Sequence, residues 1–193
     1  MLEMLAACAL SYVLGSIPTG LILGKLIWHT DLREHGSHNI GATNAWRTLG
    51  KGAGGLIFLC DYLKGIIGAW LGFTLVGTPL AMVISGLMAI AGHSCSLFLK
   101  FKGGKGVATG LGVIAYLMPW LTLLVFMVWF AIVYVTRYVS LGSCVAAALV
   151  PILAWFFEEP AEYIVFGIVA AVLIIVRHRA NINRLLSGTE NKI

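Results

Sequence analysis

Residues 52–76 read GAGGLIFLCDYLKGIIGAWLGFTLV, and the only charged side chains among them are those of Asp61 and Lys64. A bilayer core about 30 Å thick is crossed by roughly 20 helical residues, so this stretch is long enough to span it. Ionisable residues inside a membrane helix are costly and are usually paired or functional. We therefore expect Asp61 and Lys64 either to form a salt bridge with each other or to belong to an anion site.

The rest of the chain has the same apolar character. Of its 193 residues, 60% are hydrophobic and 11% are charged, and the mean hydropathy is +0.95. A soluble domain of this size cannot bury so much apolar surface. Six further apolar segments cover residues 2–28, 79–99, 107–117, 119–135, 139–157 and 163–176. Segment 107–117 is the shortest, and it either crosses the membrane or forms one arm of a bent pair broken at Pro119.

The basic residues predict the orientation. With seven crossings, the Lys and Arg residues of the connections all fall on one side, which should be the cytoplasmic side. The sequence thus predicts an all-α integral membrane protein of about seven transmembrane helices, with the N-terminus outside and the C-terminus cytoplasmic. We expect residues 1–193 to form a single domain, with the first segment retained because it lacks the basic start of a signal peptide. Part of the net charge of +5 then reflects topology and part can attract anions, and nucleic-acid binding is not expected.

A polar, glycine-rich connection, GSHNIGATNAWR, occupies residues 36–47. Its glycines allow tight turns and a close approach of the backbone to a ligand. The candidate binding residues here are Ser37, Asn39, Gly41, Thr43, Asn44 and Arg47. The planar fork of Arg47 suits a phosphate. The alternative is an ordinary loop in which Thr43 or Asn44 caps the next helix.

A second connection, KFKGGKGVATG at residues 100–110, places Gly103, Gly104 and Gly106 around Lys105. Glycine-rich backbone that opens a helix can form an anion nest, and a lysine adds a mobile positive charge. It is not a Walker A loop, because Leu99 stands where the first glycine belongs and Gly106 replaces the Ser or Thr. Phosphate binding is favoured over a purely topological anchor, because anchoring does not need three glycines.

Polar residues also occur in TRYVSLGS, residues 136–143, and in RHRANINRLLSGTE, residues 177–190. Ser143 is either a helix-packing residue or a ligand-binding one. His178 and Asn181 are spaced i, i+3, which puts them on one face of a helix. A histidine at the membrane edge can act as a general base or an orienting group, or it can be a simple interfacial residue. The four cysteines show no CxxC spacing, so neither a disulfide framework nor a zinc site is expected.

GSHNIGATN with Arg47, FKGGKGVAT and RHRANINRLLSGTE resemble the three cytoplasmic signature motifs of the PlsY family. These proteins are bacterial acyl-phosphate:glycerol-3-phosphate acyltransferases. GSIPTG at residues 15–20, DYLKG at residues 61–65 and RYVSLGS also resemble family segments, so the resemblance spans nearly the whole chain. One departure is His38, a position at which we expect the family more often to have Gly.

The resemblance implies transfer of an acyl group from acyl phosphate to the sn-1 hydroxyl of glycerol 3-phosphate. The products would be lysophosphatidic acid and phosphate, in the first acylation of bacterial phospholipid synthesis, at the cytoplasmic face of the inner membrane. It implies that Ser37, Arg47 and Lys105, with backbone of residues 103–106, hold a phosphate. It also implies that glycerol 3-phosphate is bound by Ser143, His178 and Asn181. The proton goes either to His178 or to a substrate phosphate oxygen, in which case His178 only orients the substrate.

No cofactor or metal is expected, because acyl phosphate is already activated. The expected partners are the two substrates and membrane lipid, and a monomer is the working expectation. None of the five histidines has an Asp five residues on, which argues against the HxxxxD acyltransferase mechanism. One alternative is a transporter for phosphate-bearing anions, although the chain shows no internal repeat. Another is a magnesium-dependent phosphotransferase, which usually needs a carboxylate-rich motif.

Overall fold

The computed structural model describes residues 1–193 and contains helices but no strand, which confirms the all-α prediction. The helices are α1 (Leu2–Ser16), α2 (Thr19–Trp28), α3 (Ala42–Leu49), α4 (Lys51–Val76), α5 (Pro79–Ser94), α6 (Val107–Leu117), α7 (Pro119–Thr136), α8 (Val139–Phe156), α9 (Ala161–Arg177) and α10 (Arg179–Leu186), with a 3-10 turn at Leu97–Leu99. The chain divides into two compact units, Met1–Val113 and Ile114–Ile193. The single domain expected from the sequence therefore stays a prediction.

Most of these helices suit a bilayer. Five spans are long and apolar enough to cross it: Leu2–Trp28, Lys51–Val76, Pro79–Leu99, Pro119–Thr136 and Val139–Phe156. A sixth candidate is the pair of α9 and α10, which is bent by 62°. At 1.5 Å per residue, the 11 residues of α6 rise only about 16 Å, roughly half of a bilayer core. The protein is a multi-pass membrane protein, and the count of seven crossings stays a prediction.

The first apolar segment is broken into α1 and α2 at Ile17 and Pro18. Proline lacks an N–H and disfavours helical backbone in the preceding residue, so the helix cannot run straight through. Side chains added at the flanking glycines would overlap backbone carbonyls, that of Ala89 at Gly15 and that of Ile40 at Gly20. The break therefore packs closely against protein, as the small residues of GSIPTG predict.

Small residues also set the packing of α1, α4 and α5 in the first unit. A Cβ added at Gly72 would overlap backbone of Ala81 on α5, and one at Gly92 would overlap backbone of Tyr12 on α1. Close backbone approach of this kind replaces the hydrophobic driving force that lipid cannot supply. A buried cluster of Leu32, Ala45 and Ile57 ties the 29–41 connection to α3 and α4.

The second unit consists of the C-terminal part of α6 and helices α7 to α10. Pro151 lies inside α8, where it faces Gly167 of α9, and a Cβ on that glycine would come 3.0 Å from the Pro151 nitrogen. The bend between α9 and α10 falls at His178, which is the C-cap of one helix and the N-cap of the other. The bend thus places a buried histidine at the start of the short polar helix α10.

Candidate active site

The loop before α3 is organised around the side chain of Asn44, which is only 2% exposed. Its Oδ1 accepts the N–H of Ser37 at 2.8 Å. Its Nδ2 donates to the carbonyls of Leu32, His35 and Asn39 at 3.0, 3.0 and 2.8 Å. Because four backbone groups bond to this amide, the observed role of Asn44 is to shape the loop and to position Ser37. A direct contact of Asn44 with substrate was expected from the sequence and stays a prediction.

Helix α3 begins at Ala42, with Gly41 as its N-cap and no side-chain cap. The alternative that Thr43 or Asn44 caps this helix is therefore wrong. Asn39 instead accepts the N–H of Gly41 through Oδ1 at 2.9 Å. On α3, Thr43 and Arg47 are both half-buried. Their i, i+4 spacing puts them on one face of the helix.

The outer part of this loop is held by Asp31. Its carboxylate accepts hydrogen bonds from the Arg33 guanidinium at 2.9 and 2.6 Å and lies 3.0 Å from Lys25 Nζ. The side-chain hydrogen bond from Arg33 is the main reason why the pKa of the Asp31 carboxyl lies well below its ordinary value. His38 adopts a left-handed φ of 56° and its Nδ1 lies 2.9 Å from the Arg33 carbonyl oxygen. Positive φ suits glycine, which explains why Gly would fit this position.

The glycine-rich loop before α6 differs in one respect from the predicted anion nest. The N–H of Gly103 donates to the carbonyl of Ser94 at 3.1 Å, and that of Gly104 donates to the carbonyl of His93 at 3.0 Å. Both acceptors lie in the last turn of α5. The amides of Gly103 and Gly104 thus dock the loop onto α5, and their expected part in binding a phosphate stays a prediction.

The remaining part of the loop keeps the expected geometry. Gly106 has a left-handed φ of 81° and its carbonyl accepts the N–H of Gly110 at 2.7 Å, which starts α6. The first N–H groups of a helix have no acceptor within the helix and favour anions. Lys105, half-buried, immediately precedes this helix start. Lys105 and the first turn of α6 are therefore the groups of this loop suited to a phosphate.

The charged pair within α4 forms a salt bridge, with Lys64 Nζ 2.9 Å from Asp61 Oδ1. This confirms the first of the two expectations for these residues. Both side chains are buried.

In the second unit, His178 is 3% exposed and its Nδ1 lies 2.8 Å from the carbonyl oxygen of Ile174. A carbonyl can only accept, so Nδ1 carries the proton in this contact. In the neutral ring, Nε2 then carries the lone pair. This is the tautomer that a general base requires if it is to act through Nε2.

Glu190 is a residue that sequence reasoning missed. Its carboxylate accepts from Ser140 at 2.9 Å and Asn181 at 2.7 Å through Oε1, and from Arg184 at 2.7 Å through Oε2. Burial acts to raise the pKa of this carboxyl, but the hydrogen bonds from Asn181, Ser140 and Arg184 outweigh it and leave the pKa below its ordinary value. Glu190 therefore joins α8 to α10 and fixes Asn181. The only sequence signal was its position at the end of the third motif.

Ser143 lies on α8, three residues after Ser140, so both project from one side of the helix. It is 3% exposed. Its hydroxyl donates to the Val139 carbonyl at 2.8 Å and accepts from the Trp129 indole at 3.4 Å. Ser143 therefore has the helix-packing role that the sequence left open, and its role in binding substrate stays a prediction.

The chain resembles known proteins along nearly its whole length. Residues 5–188 match the family described as glycerol-3-phosphate acyltransferase. A glycerol-3-phosphate acyltransferase of Syntrophomonas wolfei is 46% identical over 97% of this chain and 96% of its own length. Glycerol-3-phosphate acyltransferase 2 of Moorella thermoacetica is also 46% identical, over 98% of this chain and 97% of its own.

Solved structures agree with these relatives. Crystal structures of PlsY (YgiH), an integral membrane glycerol 3-phosphate acyltransferase, match with 98% of this chain and 95% of theirs covered. The glycerol 3-phosphate form gives a TM-score of 0.94 at 42% identity, and the lysophosphatidic acid form gives 0.91 at 40% identity. The extent of these matches confirms the predicted family and enzyme class: the chain belongs to the glycerol-3-phosphate acyltransferase family and is a membrane-embedded acyltransferase.

Proposed function

We propose that this enzyme transfers an acyl group from acyl phosphate to the sn-1 hydroxyl of glycerol 3-phosphate, releasing lysophosphatidic acid and inorganic phosphate. The choice of donor rests on the resemblance to the PlsY family, whose members use acyl phosphate, and on Lys105 before the glycine-opened start of α6, which suits a phosphate. Solved relatives in glycerol 3-phosphate and lysophosphatidic acid forms support the acceptor and the product.

The reaction needs no covalent acyl-enzyme and no cofactor. The sn-1 oxygen attacks the carbonyl carbon of acyl phosphate, and the bond from that carbon to the phosphate oxygen breaks as phosphate leaves with the electron pair. The hydroxyl proton goes to His178 Nε2, or to a substrate phosphate oxygen whose second pKa is about 6. In the second case, His178 orients the acceptor.

The main task of the protein is to hold two mutually repelling phosphates in reacting geometry. Ser37, Arg47 and Lys105 bind a phosphate together with the start of α6, while Ser143, His178 and Asn181 bind glycerol 3-phosphate. Asn44 fixes the backbone of Ser37. Glu190 fixes Asn181 through its carboxylate in the same way.

The enzyme works in the bacterial inner membrane, with its reacting groups toward the cytoplasm. The support is the sequence: the polar motifs fall in connections that carry the Lys and Arg residues. The acyl chain lies along the apolar helices and reaches the site from the lipid.

The test is acyl transfer by the purified protein in lipid nanodiscs, from palmitoyl phosphate to labelled glycerol 3-phosphate, with EDTA present. Lys105→Ala should lower kcat/KM at least tenfold, because hydrogen bonds to charged groups contribute about 1.5–3 kcal/mol. Lys102→Ala is the matched control, since Lys102 is an exposed lysine of the same connection, and it should stay within about twofold of wild type.

Product formed from acyl-CoA but not from acyl phosphate would overturn the assignment of acyl phosphate as the donor. Loss of activity with EDTA would favour the magnesium-dependent alternative. Equal losses in the Lys102 and Lys105 variants would mean that only the general positive charge of this connection matters.

A further inference from the structure

Three buried ionisable side chains of the first unit meet where α4 and α5 pack beside the break between α1 and α2. Lys64 Nζ lies 2.9 Å from Asp61 Oδ1, and His93 Nδ1 lies 3.6 Å from the same oxygen. All three residues are between 3% and 6% exposed. Thr19 Oγ1 donates to Asp61 Oδ1 at 2.5 Å, and Lys64 Nζ also donates to the Ile17 carbonyl at 2.5 Å.

Such a cluster is a costly way to stabilise a membrane protein. Well-packed apolar side chains are often as stabilising as a buried ion pair, so a buried pair is weak evidence for a stability role. Its members instead fix geometry, because each loses its partner if it moves. Here α4 is tied through Asp61 and Lys64 to the helix break at Ile17 and Thr19.

The two ends of the cluster reach the two loops that carry the proposed phosphate-binding residues. At one end, Gly20 follows Thr19 and lies against the carbonyl of Ile40, in the loop that contains Ser37. At the other end, the ring of His93 lies directly under Gly104, because a Cβ at Gly104 would overlap ring atom Nε2. A continuous path of contacts therefore joins the two loops within the first unit.

We propose that the Asp61–Lys64–His93 cluster is a positioning device that sets the glycine-rich loop, and with it Lys105, through the contact of the His93 ring with Gly104. This inference rests on the proposed function, because it assigns to the cluster the placement of a phosphate-binding lysine. His93 acts here through its neighbours and is not a catalytic residue.

The two loop glycines provide a sharp test. The three heavy atoms nearest to a Cβ on Gly104 all belong to the His93 side chain, whereas the three nearest to a Cβ on Gly103 belong to the backbone of His93 and Ser94. Replacing His93 by alanine therefore makes room for alanine at position 104 and leaves the obstacle at position 103 in place. In the wild type the ring is buried, with Nδ1 3.6 Å from Asp61 Oδ1, and a ring that swung aside would leave that carboxylate.

The experiment is a pair of double-mutant cycles in nanodiscs, with kcat and KM measured for palmitoyl phosphate and for glycerol 3-phosphate. Gly104→Ala and His93→Ala should each raise KM for one of the two substrates at least fivefold. Adding Gly104→Ala to His93→Ala should change that KM less than twofold further. Gly103→Ala should remain damaging in both backgrounds.

Ser85→Ala serves as the folding control, since Ser85 is buried on α5 and its hydroxyl has no hydrogen-bond partner. It should match wild type in KM and in the thermal unfolding midpoint. His93→Gln, whose side-chain amide can donate to Asp61, should reverse part of the rise in KM seen in His93→Ala, whereas His93→Phe fills the space but should not. Additive effects of the His93 and Gly104 variants, or an unchanged KM in His93→Ala, would overturn the proposal.

Failure of the proposed function is distinguishable, because wild type would then show no transfer from palmitoyl phosphate. In that event, the same two cycles measured by unfolding midpoint still report on the contact. Coupling at position 104 without coupling at position 103 would then support the role of the cluster in setting the loop, whereas additive effects of the His93 and Gly104 variants on the midpoint would overturn the inference.

Discussion

The contact of His178 Nδ1 with the Ile174 carbonyl, at 2.8 Å, decides which ring nitrogen can take a proton. Removing a general base typically costs a factor of 10² to 10⁴ in rate. We expect His178→Ala to lower kcat by about 100-fold or more. If His178 is the base, the fall of kcat/KM on the acid side of the pH profile should disappear in His178→Gln.

A different profile would assign the proton to the substrate. If the acid limb persists in His178→Gln and the main change is a higher KM for glycerol 3-phosphate, a phosphate oxygen takes the proton and His178 orients the acceptor. The matched control is Arg179→Ala, since Arg179 is the exposed next residue and should leave the pH profile unchanged.

His38 is strained in the folded chain but tolerated. Its φ of 56° lies in the left-handed region, where most L-residues lose about 1–2 kcal/mol and where Asn, Asp and His are more common than other types. His38→Gly should keep full activity and change the free energy of unfolding by less than about 1 kcal/mol, because relief of strain offsets the greater freedom of the unfolded chain. His38→Val should lose about 1–2 kcal/mol.

The measurement is the thermal unfolding midpoint of the three proteins in the same lipid. A midpoint for His38→Val at or above that of His38→Gly would contradict a left-handed residue at this position. The departure from glycine at His38 leaves the turn unchanged, because the residue keeps the backbone geometry that glycine would take.

Among the elements, α10 depends most on a single distant residue. The Glu190 carboxylate holds Asn181 and Arg184 of α10 and Ser140 of α8. The pKa of this carboxyl in the folded protein lies below its ordinary value of 4.5, so its stabilising effect is complete above pH 4.5. That effect is lost as the pH falls through the lower folded value.

We therefore expect Glu190→Gln to lower the free energy of unfolding by about 1.5–3 kcal/mol at neutral pH, the range for a hydrogen bond to a charged group. The decrease in stability that we expect for wild type in acid should be smaller in this variant. Unfolding midpoints between pH 7 and pH 3.5 test both points. Glu159→Gln, between α8 and α9, is the control and should follow the wild-type curve.

The elements also show where sequence reasoning stopped. The apolar segments were found because a bilayer demands about 20 apolar residues in a row. Helix α3 was missed because it is short and polar, and its position depends on the contacts of Asn44. Gly103 and Gly104 were recognised as special, but their amides bond to the last turn of α5, a partner that no local pattern reveals.

For the whole molecule, the fold class and the enzyme family followed from hydropathy and from the order of the polar motifs. The side-chain contacts that organise the site did not follow from these patterns. Glu190 and the link from Asp61 through His93 to Gly104 join residues far apart in sequence, and only the packing of helices brings them together. Local spacing predicted the salt bridge between Asp61 and Lys64, because residues three apart on a helix are neighbours.

The predicted orientation in the membrane depends on whether α6 crosses it. If this short helix crosses, the connections before α6 and after α7 face the same side, as the positive-inside rule predicts. A crossing of 11 residues is tolerable where protein shields its ends, because irregular backbone survives at membrane depth when it is buried in protein. Close contacts support this, since Cβ atoms at Gly65 of α4 and Gly112 of α6 would overlap backbone of the other helix.

We expect single cysteines to report this directly. In a chain whose four native cysteines are replaced, Lys102→Cys and Arg137→Cys should react with an impermeant thiol reagent only after the cytoplasmic side is opened. Glu158→Cys, in the acidic connection between α8 and α9, should react in intact cells. All three positions are exposed. If Arg137→Cys instead reacts in intact cells while Lys102→Cys does not, α6 turns back within the membrane, and the basic connections lie on both sides.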